Sequence, residues 1–508
     1  MSSSFNPAGL PQSVITIGGP WRALREGIGM NVFLGRERYY PPVSDTARWA
    51  QIEALLDEAR PGFLRVGYLE GTGVAGDVTP WDDVRQAFDP AHEIWNKIAW
   101  FDQWCERHDV NWMLDPWWVP LSLQVKADDD ATIQADPSGK PNRRGAPRDP
   151  VEYAERYIRP LLRHVTQRLG VKRLRWLGLL NEAIWGAKAR DPDNFQVKAG
   201  DHQVRVLAAM YHETRRVLDE EASGIQLVGP GHLCAWQFPV LDFVAAGVDP
   251  SPDLGAWDMH AYFHQPDWMP ECTPDFVRTH DLLQHTIRRW VDFAGQQGKP
   301  FFITEMGTFY FGRPFWGERD YETAGSHSAA IHDAQFIVRG INEGVDGFLR
   351  WALCVDRVVD GRWGLLEWEG AAQVTPSPNI FPAYRALMRA IAPRSEVLEV
   401  RHAVADGAPC RVHGCAVRTP QGLRRVVLVH DRPGRNADLR LAFPDDWAGI
   451  RFERAVVDEM RKGVPLPPVT VPDGKSPYCD LMITPYSITT LTETAPLPCC
   501  PREGSPEV

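Results

Sequence analysis

Residues 175–186 read RWLGLLNEAIWG. The six residues from Arg175 to Leu180 read as a mostly apolar strand, yet Asn181 and Glu182 follow at the point where the chain should leave the core. Counted from Leu174, this is LRWLGLLNE (174–182), and it has seven counterparts. Before it come GIGMNVFLG (27–35), FLRVGYLEG (63–71) and VNWMLDPWW (110–118). After it come IQLVGPGHL (225–233), AWDMHAYF (256–263), PFFITEMGTF (300–309) and VDGFLRWAL (345–353).

Amphipathic stretches separate these runs. They include DTARWAQIEALLDEAR (45–60), WNKIAWFDQWCERHD (95–109), VEYAERYIRPLLRHVTQRLG (151–170), DHQVRVLAAMYHETRRVLDEE (201–221) and HDLLQHTIRRWVDFAGQQG (280–298). Strand followed by helix, eight times over, requires right-handed crossovers and a parallel sheet. The expected fold is therefore α/β, a (β/α)8 TIM barrel over residues 27–393. No GxGxxG follows the first strand, which removes the usual reason to read a dinucleotide fold.

Beyond Pro393 short β-rich runs such as EVLEVRHAVA, RRVVLVHD and MITPYSITTLTE alternate with Gly, Pro, Asn and Asp. They predict a smaller all-β sandwich over residues 394–496, with 497–508 a loose tail. The segment 1–26 contains SVITIG (13–18), a candidate extra strand for that sandwich. Long insertions fall at 119–150 and 354–380, in the third and eighth βα loops, on the barrel face where enzymes of this fold place their chemistry.

The totals narrow the partners. The apolar fraction of 44% is that of a globular protein. A net charge of −11 argues against nucleic acid or an anionic membrane. Nine cysteines without a CxxC pair fit reduced thiols, and the N-terminus lacks a basic, then apolar, leader, so the expected compartment is the cytoplasm. No run approaches the ~18 apolar residues of a membrane span. The 20 tryptophans fit a sugar ligand through the apolar faces of its rings, although core packing accounts for surplus Trp equally well. These totals leave a homo-oligomer open.

Two carboxylates then stand out. Glu182 ends the fourth strand, where capping the next helix is the plainer alternative. Glu305 ends the seventh. Ends of strands four and seven face each other across a barrel rim, as hydrolysis of a glycoside requires of its two acids.

With these motifs the chain resembles the clan A glycoside hydrolases, retaining barrel enzymes, over roughly residues 27–393. The resemblance implies that Glu182 is the acid/base and Glu305, in ITEMG, the nucleophile. It also implies that Asn181 meets the sugar 2-hydroxyl and that Arg65 in FLRVG supports the nucleophile's charge. In DMHAYF, His260 would line the site and Tyr262 hydrogen-bond the nucleophile, while Trp351 in FLRWAL would be the platform beneath the sugar. The chain departs from many clan members in following NE with Ala183, where they have Pro, and from the cellulase-type family in offering Asp115, Trp117 and Trp118 at the end of strand three in place of a histidine, so the family within the clan is not assigned. Asp115, Trp118 and Trp185 join the candidate substrate-binding residues, and Asp356, Glu367 and Glu369 divide evenly between clamping outer hydroxyls and solvating their loop.

The expected activity is retaining glycoside hydrolysis, exo-acting on small oligosaccharides or glycosides, with β-linkages favoured. The chemistry calls for no cofactor or metal; strand one offers no HxH, and His260 and His264 lie outside any HExxH. Two alternatives stay open: a transglycosylase using the same glutamates, and a non-catalytic carbohydrate-binding protein on a barrel scaffold.

Overall fold

The computed structural model describes residues 13–35, 39–67, 69, 78–124, 147–181, 201–221, 223–232, 240–263, 276–308, 325–356, 363–368, 373–404, 412–431, 434 and 436–494. The chain divides into two compact units, one of residues 24–393 and one of residues 1–23 with 394–508.

In the larger unit eight parallel strands close into a barrel. In chain order they are Gly27–Phe33, Phe63–Gly67, Asn111–Asp115, Leu174–Leu177, Gln226–His232, Leu254–Phe263, Phe301–Thr308 and Gly347–Arg350, and pairing of the eighth with the first shuts the ring. The (β/α)8 reading of the sequence holds. A helical segment follows every strand: Thr46–Ala59, Ile94–His108, a run from Pro150–Tyr153 to His164–Arg168, Asp201–Glu220, Val240–Ala245, Phe276–Gln296, His327–Glu343 and Ile380–Ala390. Thr46–Ala59 shows why such segments become helices: Trp49, Ile52, Leu56 and Ala59 make one buried stripe. Asp45 caps its first turn by accepting from the Arg48 amide, a contact of about 1 kcal/mol.

Side chains alternate between lumen and helix layer along each strand. Phe63, Met113, Trp176, Val228, Ala256, Phe302 and Leu349 fill the lumen as one apolar layer. Near its floor, Glu26 accepts from the Trp176 indole at 2.7 Å and from the Asn111 amide at 3.2 Å. One pleat above that layer the inward residues turn polar, and the site begins there.

Strand seven breaks the alternation. Against strand six, Ile303 pairs with Met259 but Glu305 with His260, and against strand eight Ile303 pairs with Phe348 but Met306 with Arg350. Thr304 is thus an extra residue, a β-bulge.

The second unit is built on a nine-stranded sheet. Its first strand, Ser13–Ala23, lies inside that sheet, antiparallel to Glu396–Val404 and parallel to Ala437–Ala442. Ile15, Ile17, Leu398, Leu428, Leu439, Phe452 and Leu491 share a single core, so the sheet folds over itself as a β-sandwich. Among the described residues, no helix is long and apolar enough to cross a membrane.

Candidate active site

The site is assembled around Arg65, whose side chain rises inward from strand two and is buried. Each of its five N–H donors has a protein acceptor. Nε and Nη2 donate to Asp115 Oδ2 at 3.0 and 2.7 Å. Nη1 donates to Asn31 Oδ1 at 3.1 Å and to Glu305 Oε1 at 2.5 Å, and Nη2 also donates to Asn181 Oδ1 at 3.0 Å. One guanidinium therefore ties strands one, two, three and seven to the segment after strand four. Burial works against its charge, but the carboxylates of Asp115 and Glu305 outweigh burial and hold Arg65 above its ordinary pKa.

Glu305 is the focus of the donors. Tyr262 Oη donates to its Oε2 at 2.7 Å, and His260 Nδ1 lies 3.4 Å from the same oxygen. Asp258, His260 and Tyr262 are spaced two apart on strand six, which turns all three inward. Glu305 can meet them only because of the bulge, since plain alternation after the inward Phe302 would send it to the helix layer.

Asp115 is pinned on its other side, where Oδ1 accepts from the Trp117 amide at 2.8 Å. Two glycines make room for it. A Cβ on Gly67 would stand 2.3 Å from the Asp115 carbonyl oxygen, and one on Gly178 2.4 Å from Asp115 Oδ2. Trp117 sits at φ 82°, a backbone region costly to a bulky side chain. Its carbonyl accepts from the Asn181 amide at 3.0 Å, and its ring lies 4.7 Å from the Arg65 guanidinium.

An aromatic wall completes the rim. Trp351, at the end of strand eight, has its ring centroid 5.3 Å from that of Trp117 and 5.1 Å from that of Phe33. Its amide donates to the Met306 carbonyl, and its peptide bond to Ala352 is cis. A polar side (Arg65, Asp115, Asn181, His260, Tyr262, Glu305) and a flat apolar side (Trp117, Trp351) are the two surfaces a sugar ring presents partners for: hydroxyls and C–H faces.

Of the residues singled out in the sequence, Arg65, Asp115, Asn181, His260, Tyr262 and Glu305 form one hydrogen-bonded or ion-paired cluster, and Trp351 stands beside it. Trp118 is buried. Asp356 and Glu367 belong to a small three-stranded sheet in the eighth loop, made of Cys354–Asp356, Leu366–Trp368 and Val374–Pro376. Glu182, Trp185 and Glu369 lie outside the described residues. Three contributors escaped the sequence reading: Asn31, whose Nδ2 donates to the Thr304 carbonyl at 3.0 Å, and the pair Asp258 and Thr304. A polar residue within an apolar strand was the available signal for Asn31 and Asp258.

No family model matches the sequence, and no curated protein does either. Solved structures do. The catalytic domain of a GH30 xylanase C from Talaromyces cellulolyticus is 14% identical, with 95% of this chain and all (100%) of that chain covered at a TM-score of 0.58. A glucosidase from Croceicoccus marinus is 12% identical over 96% of this chain and 99% of that one, with a TM-score of 0.59. A GH51 arabinofuranosidase from Xanthomonas axonopodis pv. citri is 13% identical over 96% and 100%, with a TM-score of 0.58. At such identities the likeness establishes the fold, barrel and β-rich unit together.

Proposed function

We propose that this chain is a retaining glycosidase in which Glu305 is the nucleophile and Glu182 the acid/base. The observation that carries the reading is a carboxylate inside the barrel rim, held on one oxygen by Arg65 and on the other by Tyr262. Asn181, bound to the same guanidinium, is the residue immediately before Glu182 in the chain. The xylanase, glucosidase and arabinofuranosidase on the same fold agree with this reading.

In this mechanism Glu305 attacks the anomeric carbon while protonated Glu182 gives its proton to the departing oxygen. The bond from carbon to leaving group breaks as the glycosyl ester forms. Glu182 then takes a proton from water, whose oxygen displaces Glu305 and restores the original configuration. The two carboxyl groups must stand about 5–5.5 Å apart for this route. Arg65 and Tyr262 fix Glu305 in orientation, so that little reorganisation is left for the reaction itself. Trp351 supplies the surface under the ring. The proposed action is exo, on small β-linked glycosides; in the sequence, long insertions follow strands three and eight, and loops in those positions can narrow a cleft to a pocket.

A panel of nitrophenyl glycosides identifies the sugar, and NMR of the first product anomer reads the stereochemistry. Retention is expected; inversion would overturn the covalent route. Glu305→Ala loses turnover, and added azide yields a glycosyl azide of the opposite anomeric configuration. Glu182→Ala spares substrates with activated leaving groups and cripples those with poor ones. Equal loss on both kinds would remove Glu182 from the role of proton donor.

A further inference from the structure

Asp258 is a buried carboxylate inside the barrel that the mechanism above does not use. It lies one pleat below His260 on strand six and spends both oxygens on neighbouring strands. Oδ1 accepts from the Gly231 amide at 2.7 Å, and Oδ2 accepts from the Thr304 hydroxyl at 2.5 Å. Thr304 is the bulged residue directly before Glu305, and its carbonyl accepts from Asn31, the partner of Arg65.

We propose that Asp258 is a positioning residue for the nucleophile, acting through Thr304 to hold the strand-seven bulge that turns Glu305 into the lumen, and that its negative charge supports the glycosylation step. The proposal rests on the reading of Glu305 as nucleophile. The geometric reason is that the bulge places two consecutive residues, Thr304 and Glu305, on the inner side of one strand. An inward hydroxyl there needs an acceptor, and Asp258 supplies it. Without that bond, strand seven has less reason to keep its extra residue at Thr304, and Glu305 would swing away from Arg65 and Tyr262. A misplacement of about 1 Å at a reacting group lowers rates steeply.

The charge has a second consequence. Burial pushes the Asp258 carboxyl up to about 6, against the pull of Thr304, the Gly231 amide and Arg65, while Asp115 adds to the rise. Charged and titratable groups reach it from several elements: Arg65 on strand two, Asp115 on strand three and Tyr211 on the helix after strand four. His260 and Glu305 lie on the two strands that carry the bulge contact. Below about pH 6 the group is neutral, and its proton reverses the sense of the Thr304 bond. Above it, Asp258 carries a negative charge inside the lumen, one pleat below His260, which favours a transition state that develops positive charge. The acid limb of kcat/KM therefore contains the ionisation of Asp258.

The test uses the full chain and the best aryl glycoside from the panel. Asp258→Asn is expected to lower kcat about 10–100-fold with KM little changed, and to remove one ionisation near pH 6 from the acid limb. Thr304→Val lowers kcat about tenfold, and Thr304→Ser, which keeps the hydroxyl, recovers most of that loss. Asp258→Ala, which removes the acceptor altogether, combined with Thr304→Val is no slower than Asp258→Ala alone, because both cut the same link. An acid limb unchanged in Asp258→Asn, or losses that multiply in the double variant, overturns the proposal. Should Asp258→Asn not fold, the Val and Ser variants decide, with failure of Ser to recover the rate counting against the idea. An activated 2-fluoro glycoside that labels Glu305 in the unmodified enzyme keeps the nucleophile reading intact even where the Asp258 proposal fails. Label on another residue removes both.

Discussion

Among the described residues, the barrel contains two buried arginine–carboxylate clusters, alike in chemistry and opposite in address. Inside the lumen, Arg65 joins Asp115 and Glu305, with Tyr262 on the far oxygen. On the outer side of the wall, Arg350 joins Asp333 at 2.8 Å, with Thr308 on one carboxylate oxygen and Tyr384 sharing the other. Arg350 faces outward because Leu349 faces inward, and Asp333 and Tyr384 come from the helices packed there. The outer cluster is roofed by helices; the inner one is bordered by tryptophans at the rim. Composition alone does not distinguish a site from a strut. What distinguishes them is which side of a strand the arginine occupies.

The largest expected effect tests that contrast at the inner carboxylate. Glu305→Gln should cut turnover by roughly 10⁴-fold or more, while chemical denaturation gives a stability equal to or above that of the parent. If turnover survives and stability drops, the inner cluster is a strut too and the contrast collapses. Next in size, Asp333→Asn or Arg350→Met should cost stability, about 3–5 kcal/mol where one charge is left buried without its partner. The kcat/KM of the folded fraction should not move. A pure loss of catalysis in either variant would place the outer cluster within the machinery.

The smallest effect concerns pH. Burial raises the carboxyls of both Asp258 and Asp333, in the second case against Arg350, Thr308 and Tyr384. For Asp258, held at about 6, the folded state binds its proton more tightly than the unfolded chain does. The stability it contributes is therefore full below about pH 4 and falls as pH rises to about 6, by at most about 3 kcal/mol. The difference in denaturation midpoint between the parent and Asp258→Asn, followed from pH 4 to 7, reads this directly. A difference independent of pH would mean that Asp258 titrates as it does in the unfolded chain.

Much of the architecture was legible in the sequence for a simple reason. Each barrel strand is a short apolar run closed by Gly or polar residues, and each intervening helix carries its own buried stripe, as Trp49, Ile52 and Leu56 show. Asp115, Asn181 and Glu305 were visible as polar groups at or near the ends of such runs, and Arg65, inside FLRVG, through the resemblance to the clan A enzymes. Thr304 was not visible. In FFITEMGT a regular alternation puts Phe302, Thr304 and Met306 on one face and Glu305 on the other, so the pattern points the nucleophile candidate the wrong way. A bulge is a property of a strand against its neighbours, and the neighbours lie far off in the chain. Asp258 could have been found, since it keeps the two-residue spacing of His260 and Tyr262. The glycines flanking Asp115 carry no such mark, because the atom they avoid belongs to strand three.

The strand Ser13–Ala23 sits between Glu396–Val404 and Ala437–Ala442, in the interior of the nine-stranded sheet. During synthesis it emerges well before its partners, which are made some 400 residues later, on the order of tens of seconds at ribosomal speed. Until they arrive, a ribbon of valine, isoleucine and bare amide edges is exposed to chaperones and to other nascent chains. Deleting it would cut the sheet between its sixth and eighth strands, so trimming the front of this protein damages the back.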